Sequence, residues 1–150
     1  MEEAEHEETA PGAPTLVVSR LACSLVGMTE VIKFSPHTVA HRAYGKDETT
    51  EEFRCNFGLN PNYLPYFSKG PLKVTGMDRN GEARILELSG HPFFIATLFL
   101  PQLSSHLSAP HPLVLAYLKA ASAFRDRAGG AIQSAHATDA RATGTHTAGQ

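Results

Sequence analysis

A thiol attacks a carbonyl carbon only when it is partly ionised and presented at an accessible turn, so the two cysteines are the first residues to weigh. Cys23 lies in RLACSLV, with no glycine to form a tight turn, and Cys55 alternates with Phe53 and Phe57. Both contexts read as buried structural thiols. His37 and His41, in HTVAH, stand four apart and could share a helix face, but the glutamate that completes an HExxH zinc signature is absent. His136 and His146 sit among small polar residues and read as solvated side chains, so no metal site is expected. His91 and His111 each precede a proline and read as caps or turns. In the run EFRCNFGL (52–59), period two puts Arg54 and Asn56 on one face, opposite Phe53, Cys55, Phe57 and Leu59.

These residues need elements to hold them. Leu16–Leu25 reads as a strand that bends near Arg20, Val31–Phe34 as a second, and Glu52–Leu59 as a third. His37–Tyr44 has room for two helical turns after Pro36, ended by Gly45. Asn60-Pro61 is a cap followed by a proline at the first helical position, opening a short helix through Tyr66 that Gly70 closes. Leu72–Asp78 and Glu82–Leu88 flank Arg79-Asn80-Gly81, the signature of a hairpin turn needing positive φ. Pro92–Leu100 is apolar throughout, as expected of a strand buried on both faces. His111–Arg125 reads as a helix with a core stripe of Leu113, Ala116, Tyr117, Ala120, Ala121 and Phe124, ended by Gly129-Gly130. Strands mixed with helices predict an α/β or α+β layered domain. No glycine-rich phosphate loop is present.

A chain of 150 residues suffices for one domain. Its net charge of −2 implies neither a nucleic-acid surface nor a polybasic membrane patch. No apolar run approaches a membrane span, and the acidic start MEEAEHEET is unlike a secretory leader. Reduced thiols and a cytoplasmic location are therefore expected. Residues 1–14 read as a flexible acidic and Pro/Gly segment, 15–127 as the domain, and 128–150 as a disordered tail of small and polar residues.

Three stretches carry a family resemblance: FGLNPNY (57–63) after a polar strand, the hairpin LKVTGMDRNGEARILEL (72–88), and HPFFIATLFLPQ (91–102) followed by HPLVLAYLKAA (111–121). In order and spacing they resemble the later half of the C-terminal glutamine amidotransferase domain of CTP synthase, a class I, triad-type domain. The stand-alone proteins related to that region are especially similar. The resemblance implies a partial, flavodoxin-like layered α/β domain lacking its N-terminal half, with a mixed sheet, a β-hairpin and a C-terminal helix. It implies glutamine hydrolysis by a cysteine, histidine and glutamate, with ammonia passed to UTP amination in pyrimidine biosynthesis. The full-length enzymes use ATP and Mg; no cofactor is expected in this chain.

Carried over position by position, the resemblance sets Leu100 where the family has its catalytic histidine and Gln102 where it has its glutamate. Leucine cannot carry a proton and Gln102 has no charge to stabilise an imidazolium. The nucleophile turn has no counterpart here, so the chain is expected to be catalytically incompetent. Glu8, in EAEHEET, falls near the family glutamate that holds the glutamine ligand; a solvated acidic terminus is the equal alternative. Asn56 replaces a family arginine just before the aromatic residue, here Phe57, and supplies no charge for a substrate carboxylate. Arg54 matches a family arginine and is the best remaining anion contact. Glutamine or a related small anionic amide is the candidate ligand of Glu8, Arg54, Asn56 and Phe57. The alternative is a non-catalytic ligand-binding or interaction module, with a second copy or a synthetase domain as partner. A half-domain should expose a sheet edge and an apolar patch. Either a partner covers them or the chain is a fragment with a misplaced start, and the fragment is the favoured reading.

Overall fold

The computed structural model describes the backbone of residues 3–142 and the side chains of residues 3–127. The chain divides into two units, Met1–Ala116 and Tyr117–Gln150. In chain order the elements are β1 (Glu5–His6), β2 (Leu16–Arg20), β3 (Thr29–Phe34), α1 (Val39–Tyr44), β4 (Glu48–Glu52), β5 (Phe57–Leu59), α2 (Leu64–Lys69), β6 (Leu72–Met77), β7 (Ala83–Leu88), β8 (Ile95–Thr97) and α3 (Pro112–Ala142). The fold class is α/β, as expected. The larger sheet has five strands in the order β4-β3-β6-β7-β8, every neighbouring pair antiparallel. The smaller has the order β1-β2-β5, and its β1–β2 pair is parallel. Among the described residues no helix is long and apolar enough to cross a membrane.

Local chemistry explains the elements that the sequence foretold. Thr38 caps α1 by accepting from the His41 N–H, and Gly45 ends it in the left-handed conformation at φ 65°. Asn60 accepts from the Asn62 N–H to open a 3-10 turn, Pro61–Tyr63, that leads into α2. In the β6–β7 hairpin, Asp78 Oδ1 accepts from the N–H groups of Asn80 and Glu82, and Gly81 supplies φ 78°. The other Asp78 oxygen accepts from Arg84 at 2.7 Å, so a guanidinium inside the protein braces the turn. Gly76 is required for a different reason. A Cβ there would lie 2.7 Å from Ile85 Cγ1, so only glycine lets that buried isoleucine rest against the β6 backbone.

Four expectations are corrected. The strand expected over 52–59 is split: Glu52 ends β4 in the larger sheet, while Phe57 begins β5 in the smaller one. Its Phe53 is buried and its Arg54 and Asn56 are exposed, as period two requires, but Gly58 is buried because Leu21 and Leu98 close over it. The strand expected to run through Leu25 stops at Arg20, and 21–27 follows the 53–56 segment through irregular backbone bonds, such as Leu25 N–H to the Cys55 carbonyl at 3.1 Å. Pro92–Leu100 holds only a three-residue edge strand, β8, paired with β7 alone and buried on neither face. An apolar run cannot by itself distinguish a central strand from an edge whose cover is absent. Finally, α3 continues through Gly129-Gly130 to Ala142, past the glycines at which the helix was expected to stop. Glycine costs a helix about 1 kcal/mol relative to alanine without terminating it. The remainder of the expected tail, 143–150, lies outside the described residues.

The core of the first unit joins Leu25, Ile32, Phe34, Ala40, Phe53, Ile85, Phe99 and Leu113. Phe53 and Phe99 meet edge to face at 6.0 Å and form an isolated antiparallel bridge. Of the stripe expected to pack along the last helix, Leu113 is buried, whereas Tyr117 and Phe124 are exposed. A helical stripe names the residues that would pack together; it does not supply a surface to cover them.

Candidate functional site

The segment that the sequence singled out follows β8, and its residues Phe99–Gln102 carry no ionisable side chain. Phe99 is buried against Phe53, and the chain then turns, the Leu103 N–H donating to the Leu100 carbonyl at 3.0 Å. Leu100 is 37 % exposed and Gln102 is exposed, so a hydrocarbon and a neutral amide face solvent there. Cys55 lies beside this end, half-buried, with its S–H donating to the Leu98 carbonyl at 3.1 Å. Cys23 is exposed, which corrects the expectation that it is buried: β2 has already ended, and the loop carries it out of the core. Among the described residues neither thiol touches an imidazole or a carboxylate, so neither has a base to draw its proton.

The four residues expected to hold a ligand fall into two neighbourhoods. Phe57 sits on β5 against β2, with the His6 ring at 5.2 Å and the Arg20 guanidinium 5.0 Å from its centroid. Arg20 and Phe57 are cross-strand partners, and Glu7 accepts from the Arg20 backbone N–H at 2.5 Å. Glu8 is exposed next to them, its N–H donating to His6 Nδ1 at 3.1 Å. Asn56 belongs to the same edge, but its side-chain oxygen accepts from Ser24 Oγ at 2.7 Å. Arg54 is elsewhere, paired with exposed Glu52 at 2.8 Å. His6, Glu7 and Arg20 join this edge without having been singled out in the sequence.

His37 and His41 do not share a helix face. His37 precedes the cap of α1 and has φ 62°, while His41 Nε2 pairs with Asp47 at 3.0 Å. His91 Nδ1 accepts from the Phe93 N–H at 3.2 Å, a turn role in keeping with the sequence.

A polar trio of buried Glu51 and His111 with half-buried Tyr44 went unseen in the sequence beyond the cap role of one member. His111 Nδ1 accepts from the Leu113 N–H at 3.2 Å, which places the ring proton on Nε2. Nε2 stands 3.2 Å from Glu51 Oε1 and 3.1 Å from the Tyr44 hydroxyl. The Tyr44 hydroxyl donates to the same Glu51 oxygen at 2.5 Å. Burial first, and then the Glu51 carboxylate that accepts from it, push the Tyr44 phenol far above the ordinary tyrosine range. Aromatic contacts seal the trio: Phe34 stacks on Tyr44 at 4.9 Å, and Phe99 lies 6.1 Å from the His111 ring. The imidazole has both nitrogens engaged inside the protein, so it holds architecture and has none left for a substrate proton.

No protein-family model matches the chain. Curated relatives do. The chain is 38 % identical over 105 residues to the CTP synthase of Pyrobaculum aerophilum, covering 69 % of this chain and 20 % of that protein. It is 30 % identical over 132 residues to the CTP synthase of Sulfurisphaera tokodaii, covering 81 % of this chain and 25 % of that one. Among solved structures, the Trypanosoma brucei CTPS glutaminase domain with bound acivicin superposes with a TM-score of 0.74 at 18 % identity, covering 81 % of this chain and 51 % of that chain. The chain resembles the glutaminase domain of CTP synthase.

The likeness to CTP synthases is one of part to whole, since the chain spans a fifth to a quarter of those two relatives' length. Its fold matches about half of the solved glutaminase domain. Among the described residues no three His, Cys, Asp or Glu side chains gather around one point.

Proposed function

We propose that this is a CTP synthase-type glutamine amidotransferase-like protein that does not hydrolyse glutamine as this chain and serves as a ligand-binding or interaction module on the amidotransferase scaffold. The observation that carries the reading is the strand end: Phe99 is seated in the core, yet Leu100 and Gln102 occupy the exposed turn after it. Acyl transfer from an amide needs a nucleophile, a base beside it and a group to orient the base. Here the thiols lack a base, and the imidazole at 6.1 Å from Phe99 faces Glu51 and Tyr44 on the inner side of that ring.

The second half of the proposal draws on the cluster of exposed Glu8 and Arg20 with half-buried His6 and Phe57, which combines a carboxylate, a guanidinium and an aromatic face. An amino-acid-like amide offers an ammonium for the first and a carboxylate for the second. Ammonia release from glutamine should stay at buffer background with the purified chain, and robust release would overturn the proposal. In the same preparation, glutamine or acivicin should raise the melting temperature if the cluster binds such ligands. Unchanged melting with both removes the ligand-binding half and leaves an interaction role, with a synthetase domain or a second copy as partner.

A further inference from the structure

A cavity of about 460 Å³ opens over one face of β6 and β7, where β3 ends and α1 begins, away from both sites described above. Its walls include Arg42, Lys73, Thr75, Glu87, His37 and His91. Lys73 and Glu87 are direct cross-strand partners, and Thr75, at the register shift two residues along β6, also lines the cavity.

The obvious neutralisation does not occur. Both Glu87 oxygens accept from the backbone of α1, from Val39 N–H at 2.7 Å and Ala40 N–H at 2.9 Å. The carboxylate is thereby satisfied, and it also occupies the amides at the start of α1, so those amides are not the site. Lys73 Nζ donates to the Ser68 carbonyl at 2.6 Å, and Arg42 donates to the His37 carbonyl. Among the described residues neither cation forms an ion pair with a carboxylate. The cavity thus has two cations against one carboxylate that is already bonded, with two histidines able to add charge.

A second observation points to a ligand independently. Thr75 is 5 % exposed and its hydroxyl has no hydrogen-bond partner. Buried hydroxyls are nearly always paired, because leaving one unpaired forfeits its hydration with nothing in return.

We propose that this cavity binds a small phosphate monoester, with Arg42 and Lys73 supplying charge-assisted donors and the Thr75 hydroxyl completing the set. A phosphoryl group accepts several such bonds at once, as this mixture of ammonium, guanidinium and hydroxyl donors requires. The volume leaves room for a polar group beyond the phosphate.

The test is titration of the full chain with inorganic phosphate and with glycerol 3-phosphate at constant ionic strength, read by ³¹P chemical shift and by melting temperature. Saturable binding is expected with both, tighter for the ester. It should weaken by about tenfold or more in Lys73→Gln and in Arg42→Gln, and remain unchanged in Arg54→Gln, whose charge lies outside the cavity. Thr75→Val guards against a variant that merely unfolds: it should melt no lower than the parent and still bind more weakly. Absence of saturation in the parent, or affinity undiminished in the Lys73→Gln, Arg42→Gln double variant, would overturn the proposal.

Discussion

The polar trio of Tyr44, Glu51 and His111 and the strand end at Leu100 and Gln102 are separated by a single residue, Phe99, and they differ in almost every property. Glu51 is 9 % exposed and His111 is 5 % exposed, and their polar atoms are consumed by one another. Leu100 and Gln102 are exposed and carry neither charge nor a titrating proton. An imidazole and a carboxylate are thus present in hydrogen-bonded contact, the pairing a triad uses, but on the dry side of an aromatic ring. Residue type alone does not make a catalytic pair. What decides is whether a nitrogen remains free and faces a space that substrate can enter.

The contrast predicts effects of very different size. Glu51→Ala should cost most, about 3 kcal/mol, because it leaves the Tyr44 hydroxyl proton without its acceptor and His111 Nε2 with the Tyr44 oxygen as its one remaining partner in the trio. Denaturant unfolding measures this, and a loss below about 1 kcal/mol would mean the trio is not a structural brace. A medium effect is expected from pH. The folded state holds the Tyr44 proton more tightly than the unfolded state, whose tyrosines ionise near pH 10. Stability from this group is therefore complete below about pH 10 and falls as pH rises further, by at most about 1.4 kcal/mol per pH unit. Tyr44→Phe should remove that alkaline component, and identical alkaline slopes in the two proteins would deny Tyr44 the role. The smallest effect belongs to the strand end. Leu100→His with Gln102→Glu should change stability by no more than about 0.5 kcal/mol and leave glutamine hydrolysis at background, since no thiol is positioned to be activated. Gain of hydrolysis in that double variant would show that the two regions differ less than the geometry implies.

How much of this was legible in the sequence depended on whether the signal was local. The Asn80-Gly81 turn, the Gly45 stop and the Asn60-Pro61 start are each decided within a few residues, and each stands where it was expected. β4 was invisible because ETTEE has no apolar alternation; its inward residues are Thr49 and Glu51, and Glu51 is held inside by Tyr44 and by His111, 60 residues further along the chain. Glu51 accordingly went unremarked, and His111 showed only its local cap role. The edge position of β8 could not be read from FFIATLF, since nothing in a strand's own residues records how many neighbours it will have. At the candidate site, the substitutions at Leu100 and Gln102 came from the family resemblance. Arg20 beside Phe57 required the β2–β5 register, in which residues far apart in the chain become cross-strand partners. The cavity bounded by Lys73 and Thr75 likewise depends on a tertiary event, the diversion of Glu87 to α1.

That diversion also bears on the order in which the molecule assembles. A helix of six residues is too short to persist by itself in water, and the first amides of α1 find their acceptor 47 and 48 residues further along the chain. The β6–β7 hairpin is a local structure that can close early, whereas α1 must wait for it. Nascent chain that has emerged only as far as Tyr44 therefore contains the letters of the helix without the carboxylate that makes it one.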